Sequence, residues 1–530
     1  MFKRVLFMVL SILIMMIVMS GVLSAEDETL IRSQKSKTYS KRVSVTPGQT
    51  LYIEGKPFKA KKSFSIGDLQ ANITIEGAEV NEISAEMTLE VKDSDNELLE
   101  KFLESSELIL EPDRQGYRLS VETPLHESPY RKGGTVTRFF RRLRKGNDWG
   151  ISLHTDLKIT LPSHFSLDVD NAFGDIRIRN VSGDLTVNNS SGKVSIEQCG
   201  GELDLRNSFA MVDVTDFDGP VLIKNSSGEV SLERIGGKAE VDNSFKPVHF
   251  RKIDGSLIVD SQSADVIGSQ VKGDCIITSS FKEVKVRDIQ GRLEIKAPSC
   301  HVTARRIGHD AIIESSFKSV HADSIRGELE IVCQSSTVTV DGVDGDVRIQ
   351  TSFREVGAEH IGGTLTIKGG SCAVTANDIG KDVVIQTSFN PIRVERIKGN
   401  LDVKGGSCSV SVEDIDGDVK ISNSFNDVVV KGSSGSVDIS GESSSIEVSK
   451  IKKIPENAHF ELETTFKPVT LILPGDASVV ITAKTTFGKI RSVYPVYLDD
   501  ENVKRVRIQR GDGSTPVRII TSSDIIIKND

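Results

Sequence analysis

Apolar residues recur every 18 positions through the middle of the chain. Steps of 18 from Val181 lead through Cys199 and Phe217 to Ile415, and all fourteen positions reached in this way are apolar, with no insertion or deletion. We call them the ladder positions. A Gly follows two residues after twelve of the fourteen. Because Gly adopts backbone angles that other residues avoid, this spacing predicts a tight turn in every unit.

Each 18-residue unit also contains two short segments in which apolar and polar residues alternate. In the unit that starts at Ile289, these segments are Leu293–Ile295 and Val302–Ala304. A period of two predicts strands with one buried face. Eighteen residues can hold two strands of about five residues and two turns of about four. The pattern therefore predicts an all-β fold, a single-stranded parallel β-solenoid with 18-residue coils that is capped at both ends to cover its strand edges.

A longer rhythm lies ten residues after each ladder position, where Phe and Ser alternate without exception from Phe173 to Ser443. Two explanations remain open. Each ring could cover its own coil and the small-residue coil beside it, or the true coil could have 36 residues and four strands. We favour the first explanation, because all the other apolar positions of the repeat recur every 18 residues. It places the rings in the core, where large and small residues interdigitate. Since residues 163–490 contain no Tyr or Trp, the repeat is then expected to lack exposed aromatic platforms.

The ends of the chain do not follow the repeat. Lys3 and Arg4 precede an uncharged run, Val5–Leu23, that ends in small residues. This pattern is typical of a signal peptide, although the run is almost long enough to remain as a membrane anchor. No later apolar segment approaches this length, so we expect an exported protein that is periplasmic, at the cell surface or secreted, with or without an N-terminal anchor. The predicted divisions are a signal peptide or anchor at 1–25, a β-rich capping region with one short helix (Asn96–Ser106) at 26–162, the 18-residue-repeat solenoid at 163–455, and irregular coils with a C-terminal cap at 456–530.

The net charge of -9 argues against a nucleic-acid partner. One segment, Arg131–Lys145, departs from this balance because it contains seven basic residues and no acid. It could bind an anionic envelope polymer or lipid head groups, or it could be a solvated loop. The partner is therefore expected to be an envelope polymer, a lipid or a protein. The candidate anion-binding residues are Arg131, Lys132, Arg138, Arg141, Arg142, Arg144 and Lys145.

The pattern of Cys and His residues does not predict a reactive site. Cys300, Cys372 and Cys408 share one position of the repeat. Cys372 and Cys408 are two coils apart, about 9.6 Å at the usual strand spacing, which is too far for a disulfide. We therefore expect them to remain thiols. The sequence lacks Cys-x-x-Cys and His-Glu-x-x-His motifs, so we predict no catalytic residue, no metal site and no cofactor.

Four short motifs of the chain are Gly174-Asp175-Ile176-Arg177-Ile178, Ser191-Gly192-Lys193-Val194-Ser195-Ile196, Leu473-Pro474-Gly475-Asp476-Ala477 and Thr521-Ser522-Ser523-Asp524-Ile525. Through these motifs the exported part of the chain resembles the DUF4097 family of putative adhesins. The resemblance implies an extracytoplasmic β-solenoid without catalytic residues, and some members are linked to bacterial envelope stress. Our leading interpretation is a non-enzymatic exported scaffold or an adhesion-type surface or envelope protein. Two alternatives stay open: a polysaccharide-active β-helix enzyme, and an envelope-stress sensor that binds anionic polymer or lipid.

Overall fold

A computed structural model describes residues 33–45, 50–53, 56–59, 63–93, 96–113, 116–123, 152–498 and 504–530. The signal segment at 1–25 and the basic segment Arg131–Lys145 lie outside these residues, so both stay predictions. Among the described residues, no helix has the length and apolar character needed to cross a membrane.

The chain divides into two compact units, and the smaller one contains the described residues within 1–39, 87–108 and 121–156. Its core is formed by Leu99 and Phe102 of the helix, which pack with Leu89 and Val91, and Tyr39 packs against this cluster. The elements of the N-terminal part are β1 (Ser33–Ser44), β2 (Thr50–Ile53), β3 (Lys56–Lys59), β4 (Ser63–Gln70), β5 (Asn72–Ala78), β6 (Glu82–Asp93), α1 (Asn96–Glu104), β7 (Glu107–Asp113), β8 (Gly116–Glu122) and β9 (Ser152–Pro162).

The larger unit is a parallel β-solenoid of about 16 turns, which confirms the predicted fold class. Each coil contains a first strand, a first turn, a second strand and a second turn. First strands pair in parallel with first strands, as Leu185 does with Leu203, and second strands pair with second strands, as Val194 does with Val212. Paired residues are 18 apart, so the alternative of a 36-residue coil is wrong. One further coil, formed by β4 and β5, precedes residue 163 and pairs with the first coil of the strict repeat.

The strands of the strict repeat follow one another with short turns between them, and β30 and β31 each run through both arms of one coil. They are β10 (Ser166–Phe173), β11 (Ile176–Arg179), β12 (Leu185–Ser191), β13 (Val194–Gly200), β14 (Leu203–Asn207), β15 (Val212–Asp218), β16 (Val221–Asn225), β17 (Val230–Ile235), β18 (Ala239–Asn243), β19 (Val248–Ile253), β20 (Leu257–Ser261), β21 (Val266–Val271), β22 (Cys275–Ser279), β23 (Phe281–Ile289), β24 (Leu293–Ala297), β25 (Ser299–Ile307), β26 (Ala311–Ser315), β27 (Val320–Ile325), β28 (Leu329–Val332), β29 (Val338–Val343), β30 (Val347–Ile361), β31 (Leu365–Ile379), β32 (Val383–Phe389), β33 (Ile392–Ile397), β34 (Leu401–Ser407), β35 (Val410–Ile415), β36 (Val419–Phe425), β37 (Val428–Ser433), β38 (Val437–Ser443) and β39 (Ile446–Ser449).

The core consists of the ladder position and four strand positions in each coil, with an exception at Gly268, which is only partly buried. In one coil these residues are Ile361, Leu365, Ile367, Val374 and Ala376, and all of them are buried. Burying a Val, Leu or Ile side chain contributes roughly 1.5–3 kcal/mol. A single coil could not bury these residues alone, but the stack makes their apolar face continuous.

The Gly of the second turn is required for a different physical reason from the predicted one. Most Gly residues two positions after the ladder do not have a positive φ. A Cβ on Gly237 would lie 2.4 Å from the backbone of Gly219, so Gly is needed because successive coils approach closely. The left-handed conformation falls instead on the residue just before the ladder position, at every coil from Asn180 to Lys450. Only two of these sixteen residues are Gly, so no particular residue type in the sequence marks this left-handed conformation.

The first turn is held by buried polar side chains. Asn171, Asn189, Asn207, Asn225 and Asn243 lie on the interior side at the end of successive first strands. The Asn189 amide donates 3.2 Å hydrogen bonds to the carbonyls of Gly174 and Gly192. The amides of Asn171, Asn207 and Asn243 likewise bind the turn of their own coil and that of the preceding coil, whereas the Asn225 amide binds only the preceding one, at Ala210. These bonds fix the position of the residues at the tip.

The C-terminal coils do not stack in chain order. Strand β46 lies between β40 and β42, and β47 lies between β41 and β43, so the last coil of the chain is inserted before an earlier one. Strand β45 pairs antiparallel with the other edge of β42. The strands of this region are β40 (Phe460–Glu463), β41 (Val469–Leu473), β42 (Val479–Thr485), β43 (Ile490–Ser492), β44 (Tyr497–Leu498), β45 (Arg505–Arg510), β46 (Thr515–Thr521) and β47 (Ile525–Asn529).

Candidate functional site: an exposed row of phenylalanines

The Phe side chains of the first turns face solvent. The prediction that they belong to the core is wrong, and so is the expectation that the repeat lacks exposed aromatic residues. The exposed fraction of Phe353, for example, is 56%. We call the set the Phe row: Phe173, Phe209, Phe245, Phe281, Phe317, Phe353, Phe389, Phe425, Phe466 and Phe487.

The interior above each first turn is already occupied, which explains why the rings point outward. In the small-residue coils, the residue after the alternating Ser is buried, as at Cys300, Cys372 and Cys408. The fit is close, because a Cβ on Gly369 would lie 2.2 Å from the Cys372 sulfur. In the coils whose first turn carries a Phe of the row, which we call the Phe coils, the equivalent residue faces solvent instead, as at Lys318. The two kinds of turn therefore have different conformations, and the alternation of Phe and Ser reflects this difference.

The row continues beyond the strict repeat. The pairing of β40 with β38 aligns Phe466 with Ser443, and the pairing of β46 with β40 aligns Ser523 with Phe466. Phe487 lies next to Ser523 through the pairing of β42 with β46. Phe and small residues thus alternate in space through the reordered C-terminal coils. The 18-residue spacing is lost here in the sequence, so the period of the repeat does not identify Phe466 and Phe487 as members of the row.

Neighbouring rings of the row are two coils apart, which is about 9.6 Å at the usual strand spacing. One flank of the row is formed mainly by Ser, for example Ser280, Ser316 and Ser352, which precede the rings in the chain. The other flank carries basic residues in several Phe coils. Those that directly follow a ring are Lys246, Lys282, Lys318, Arg354 and Lys467.

The second turns form a different surface, which contains stacked ion pairs. The guanidinium of Arg306 donates hydrogen bonds of 2.6 and 2.9 Å to the Asp288 carboxylate one coil earlier. Arg396 binds Asp378 in the same way, at 2.5 and 3.0 Å, and Arg234 binds Asp216. An open groove of about 1170 Å³ runs past Asp288 and Arg306. Its charged residues are of both signs, so it is not a single-sign binding patch.

The carboxyl groups of these pairs are held in the ionised state. Hydrogen bonds from the partner Arg lower the pKa values of Asp216, Asp288 and Asp378. The pKa of Asp310 is lowered by a hydrogen bond from the backbone N–H of Glu328. Conversely, a hydrogen bond with Asp341 raises the pKa of His360. Each of these shifts stabilises a charged form through a neighbouring group.

All six cysteines are buried free thiols, so the expectation that Cys372 and Cys408 are not disulfide-bonded agrees with the structure. Burial raises the pKa of Cys199 to about 11 and that of Cys275 to about 12, which disfavours the nucleophilic thiolate. Within the part of the chain that the structure describes, no group of three or more His, Cys, Asp or Glu side chains could hold a metal ion. The predicted anion-binding residues from Arg131 to Lys145 lie outside this part.

No family model matches the chain, and no curated protein matches it. Two solved structures are similar to it. One is a putative cell adhesion protein from Clostridium sporogenes, with 9% identity, coverage of 93% of this chain and 100% of the other, and a TM-score of 0.13. The other is a putative lipid binding protein from Parabacteroides distasonis, with 12% identity, coverage of 64% and 94%, and a TM-score of 0.16. At these TM-scores neither similarity carries an argument about function.

Proposed function

We propose that this protein is a non-enzymatic exported scaffold of the adhesion type and that the Phe row is its contact surface. The observation that carries the proposal is the alignment of ten exposed Phe rings along one series of turns. Exposed apolar surface of this extent usually marks an interaction site, because leaving it in water is unfavourable. Its export and its membership of the DUF4097 adhesin family are parts of the same proposal and rest on the N-terminal sequence and the quoted motifs.

The electrostatics support a scaffold over the polysaccharide-active enzyme. A glycosidase needs one carboxylic acid with a raised pKa to protonate the leaving group. Among the described residues, every carboxyl group whose pKa departs clearly from its usual value is shifted down, as at Asp288 and Asp346. Six of these seven groups have an Arg side chain or a backbone N–H of the next coil as partner, and Asp512 accepts a hydrogen bond from the Ser478 hydroxyl. These acids are therefore best explained as structural.

The test measures how firmly the protein is held in the envelope of cells that export it. A protease site placed after Ala25 of a tagged copy, exported beside an untagged copy without the site, allows the tagged chain to be cut from any N-terminal anchor before the fractions are separated. The row variant carries Phe→Ser at Phe281, Phe317, Phe353 and Phe389. The matched control carries Lys→Ser at four exposed strand residues away from the row: Lys224, Lys296, Lys368 and Lys404.

We expect the parent and the lysine control to stay with the envelope fraction after cleavage and the row variant to be released. Circular dichroism and thermal melting verify that all three proteins are folded. Release of the parent, or equal retention of the parent and the row variant, would contradict the proposal. If retention depends instead on salt and on the residues from Arg131 to Lys145, the anion-binding sensor is the better interpretation.

A further inference from the structure

The Phe row has a shape that is complementary to itself. Its rings recur every two coils, and each intervening coil presents a half-buried Ser, such as Ser299, Ser335 or Ser371. The gaps between rings are therefore one coil wide. A second set of rings placed in these gaps would lie about 4.8 Å from each neighbouring ring along the row. Aromatic pairs prefer centroid separations of about 4.5–7 Å, so the two sets would be in favourable contact.

We propose that the Phe row binds the Phe row of a second copy of this chain, antiparallel and displaced by one coil, so that the rings of each copy fill the Ser gaps of the other. The inference rests on the proposed role of the row as a contact surface and identifies its partner. A surface that only needed apolar contact would not require Ser gaps between the rings. A continuous Phe ladder would expose more apolar area, whereas the strict alternation of Phe and Ser provides a register.

Symmetry restricts how two identical rows can fit together. A two-fold axis parallel to the row would place ring on ring, and the added shift of one coil would leave a contact that does not close. A two-fold axis across the row, between a Phe coil and a Ser coil, gives a closed dimer. With the axis between Phe317 and Ser335, each copy places its Phe317 over Ser335 of the other, and the coils farther out repeat this arrangement as far as Phe173 and Ser523.

The two flanks of the row differ in how well they fit this arrangement. Because each Phe coil faces a small-residue coil, the basic residue that follows a ring does not face its equivalent in the other copy. With the axis between Phe317 and Ser335, Lys318 lies opposite the buried Ser336, and Arg354 lies opposite the buried Cys300. The two Lys318 residues nevertheless lie one coil apart, so the basic flank adds a repulsion between like charges that the ring contacts must outweigh. The Ser-rich flank carries little bulk and allows the two backbones to approach closely.

The available area is sufficient for a stable dimer. A Phe side chain buries about 150–250 Å² when fully enclosed, and the rings of the row are at least half exposed. Each ring therefore has about 100 Å² left to bury, and the nine rings from Phe173 to Phe466 on each of two copies provide roughly 1,800 Å². Specific interfaces usually bury about 1,200–2,000 Å² in total. The row alone reaches this range before the flanks are included.

The test is sedimentation equilibrium of the purified full chain with three variants, again cut after residue 25. The first variant removes rings: Phe281→Ser, Phe317→Ser and Phe353→Ser. The second fills gaps and adds apolar area: Ser299→Phe, Ser335→Phe and Ser371→Phe. The third is the four-lysine control described above. All substituted side chains are at least partly exposed, so melting temperatures should change little.

We expect the parent and the lysine control to be dimers at micromolar concentration. We expect the ring-removed and gap-filled variants to dissociate, each with a Kd at least about 100-fold higher than the parent. The gap-filled variant is decisive, because non-specific apolar association would increase with three added rings. A gap-filled variant that associates as strongly as the parent would overturn the proposal.

A monomeric parent would overturn it as well. Vesicles of phosphatidylcholine and phosphatidylglycerol, added to that monomer, then show whether the row binds a bilayer instead. The outcome is separable from the proposed function, because a monomer whose envelope retention still depends on the Phe row rejects only the second copy as partner.

Discussion

The same residue type has opposite environments in this solenoid, depending on its position in the coil. Phe353 lies at the tip of a first turn and is exposed, whereas Phe460 lies in a first strand and its exposed fraction is 1%. Strand alternation determines the direction of Phe460. A turn residue is not bound by that alternation, so the period of the Phe row could be predicted from the sequence but its direction could not.

This difference predicts unequal effects of removing the ring. We expect Phe460→Ala to lower the free energy of unfolding by about 3–5 kcal/mol, because it leaves a cavity in a packed core. We expect Phe353→Ala to change it by less than about 0.5 kcal/mol when the protein is monomeric. Denaturant unfolding at high dilution measures both values. A loss of several kcal/mol for Phe353→Ala would mean that the ring is buried in solution.

At the scale of the strands and turns, stability comes from ladders that join each coil to the next. The apolar ladders were predicted because their residues repeat at 18 without interruption. The ion pairs were not predicted, since Asp216–Arg234, Asp288–Arg306 and Asp378–Arg396 occupy a position that accepts many residue types. The left-handed backbone at that position was missed for the same reason. A feature of the backbone that no particular side chain requires leaves no sequence pattern.

The inter-coil ion pairs predict an acid dependence of stability. Because the folded-state pKa values of Asp216, Asp288 and Asp378 are lowered, their contribution is present above the unfolded pKa of about 3.9 and is lost as the pH falls through the folded values. We expect Asp→Asn at all three to lower the melting temperature at pH 7 and to make it less dependent on pH below about 4.

The control for this prediction carries Asp→Asn at Asp260 and Asp402, which lie on first strands and are not part of the three pairs. Its melting temperature should follow that of the parent between pH 7 and pH 2. If the triple variant and the parent lose stability in parallel below pH 4, the pairs do not contribute in the way described.

At the scale of the whole molecule, the sequence predicted the repeating part much better than its ends. The 18-residue pairing of successive coils was predicted correctly, because each coil repeats the interactions of the previous one. The insertion of β46 and β47 before β42 and β43 was not predicted. A non-sequential order of coils depends on long-range pairing, which produces no periodic signal. Phe487 therefore joins the row through a contact that its position in the chain does not reveal.

The central claim is that the Phe row lies on the outside of a solenoid with 18-residue coils. The most direct measurement is the distance between two spin labels on Phe245→Cys and Phe425→Cys, by pulsed electron paramagnetic resonance. The native cysteines are buried, so the folded parent should take up no label. Dilution with unlabelled protein restricts the signal to distances within one chain. We predict complete labelling and a distance of about 48 Å, which is ten coils at the usual strand spacing. A distance near 24 Å, or labels that attach only after unfolding, would contradict the account.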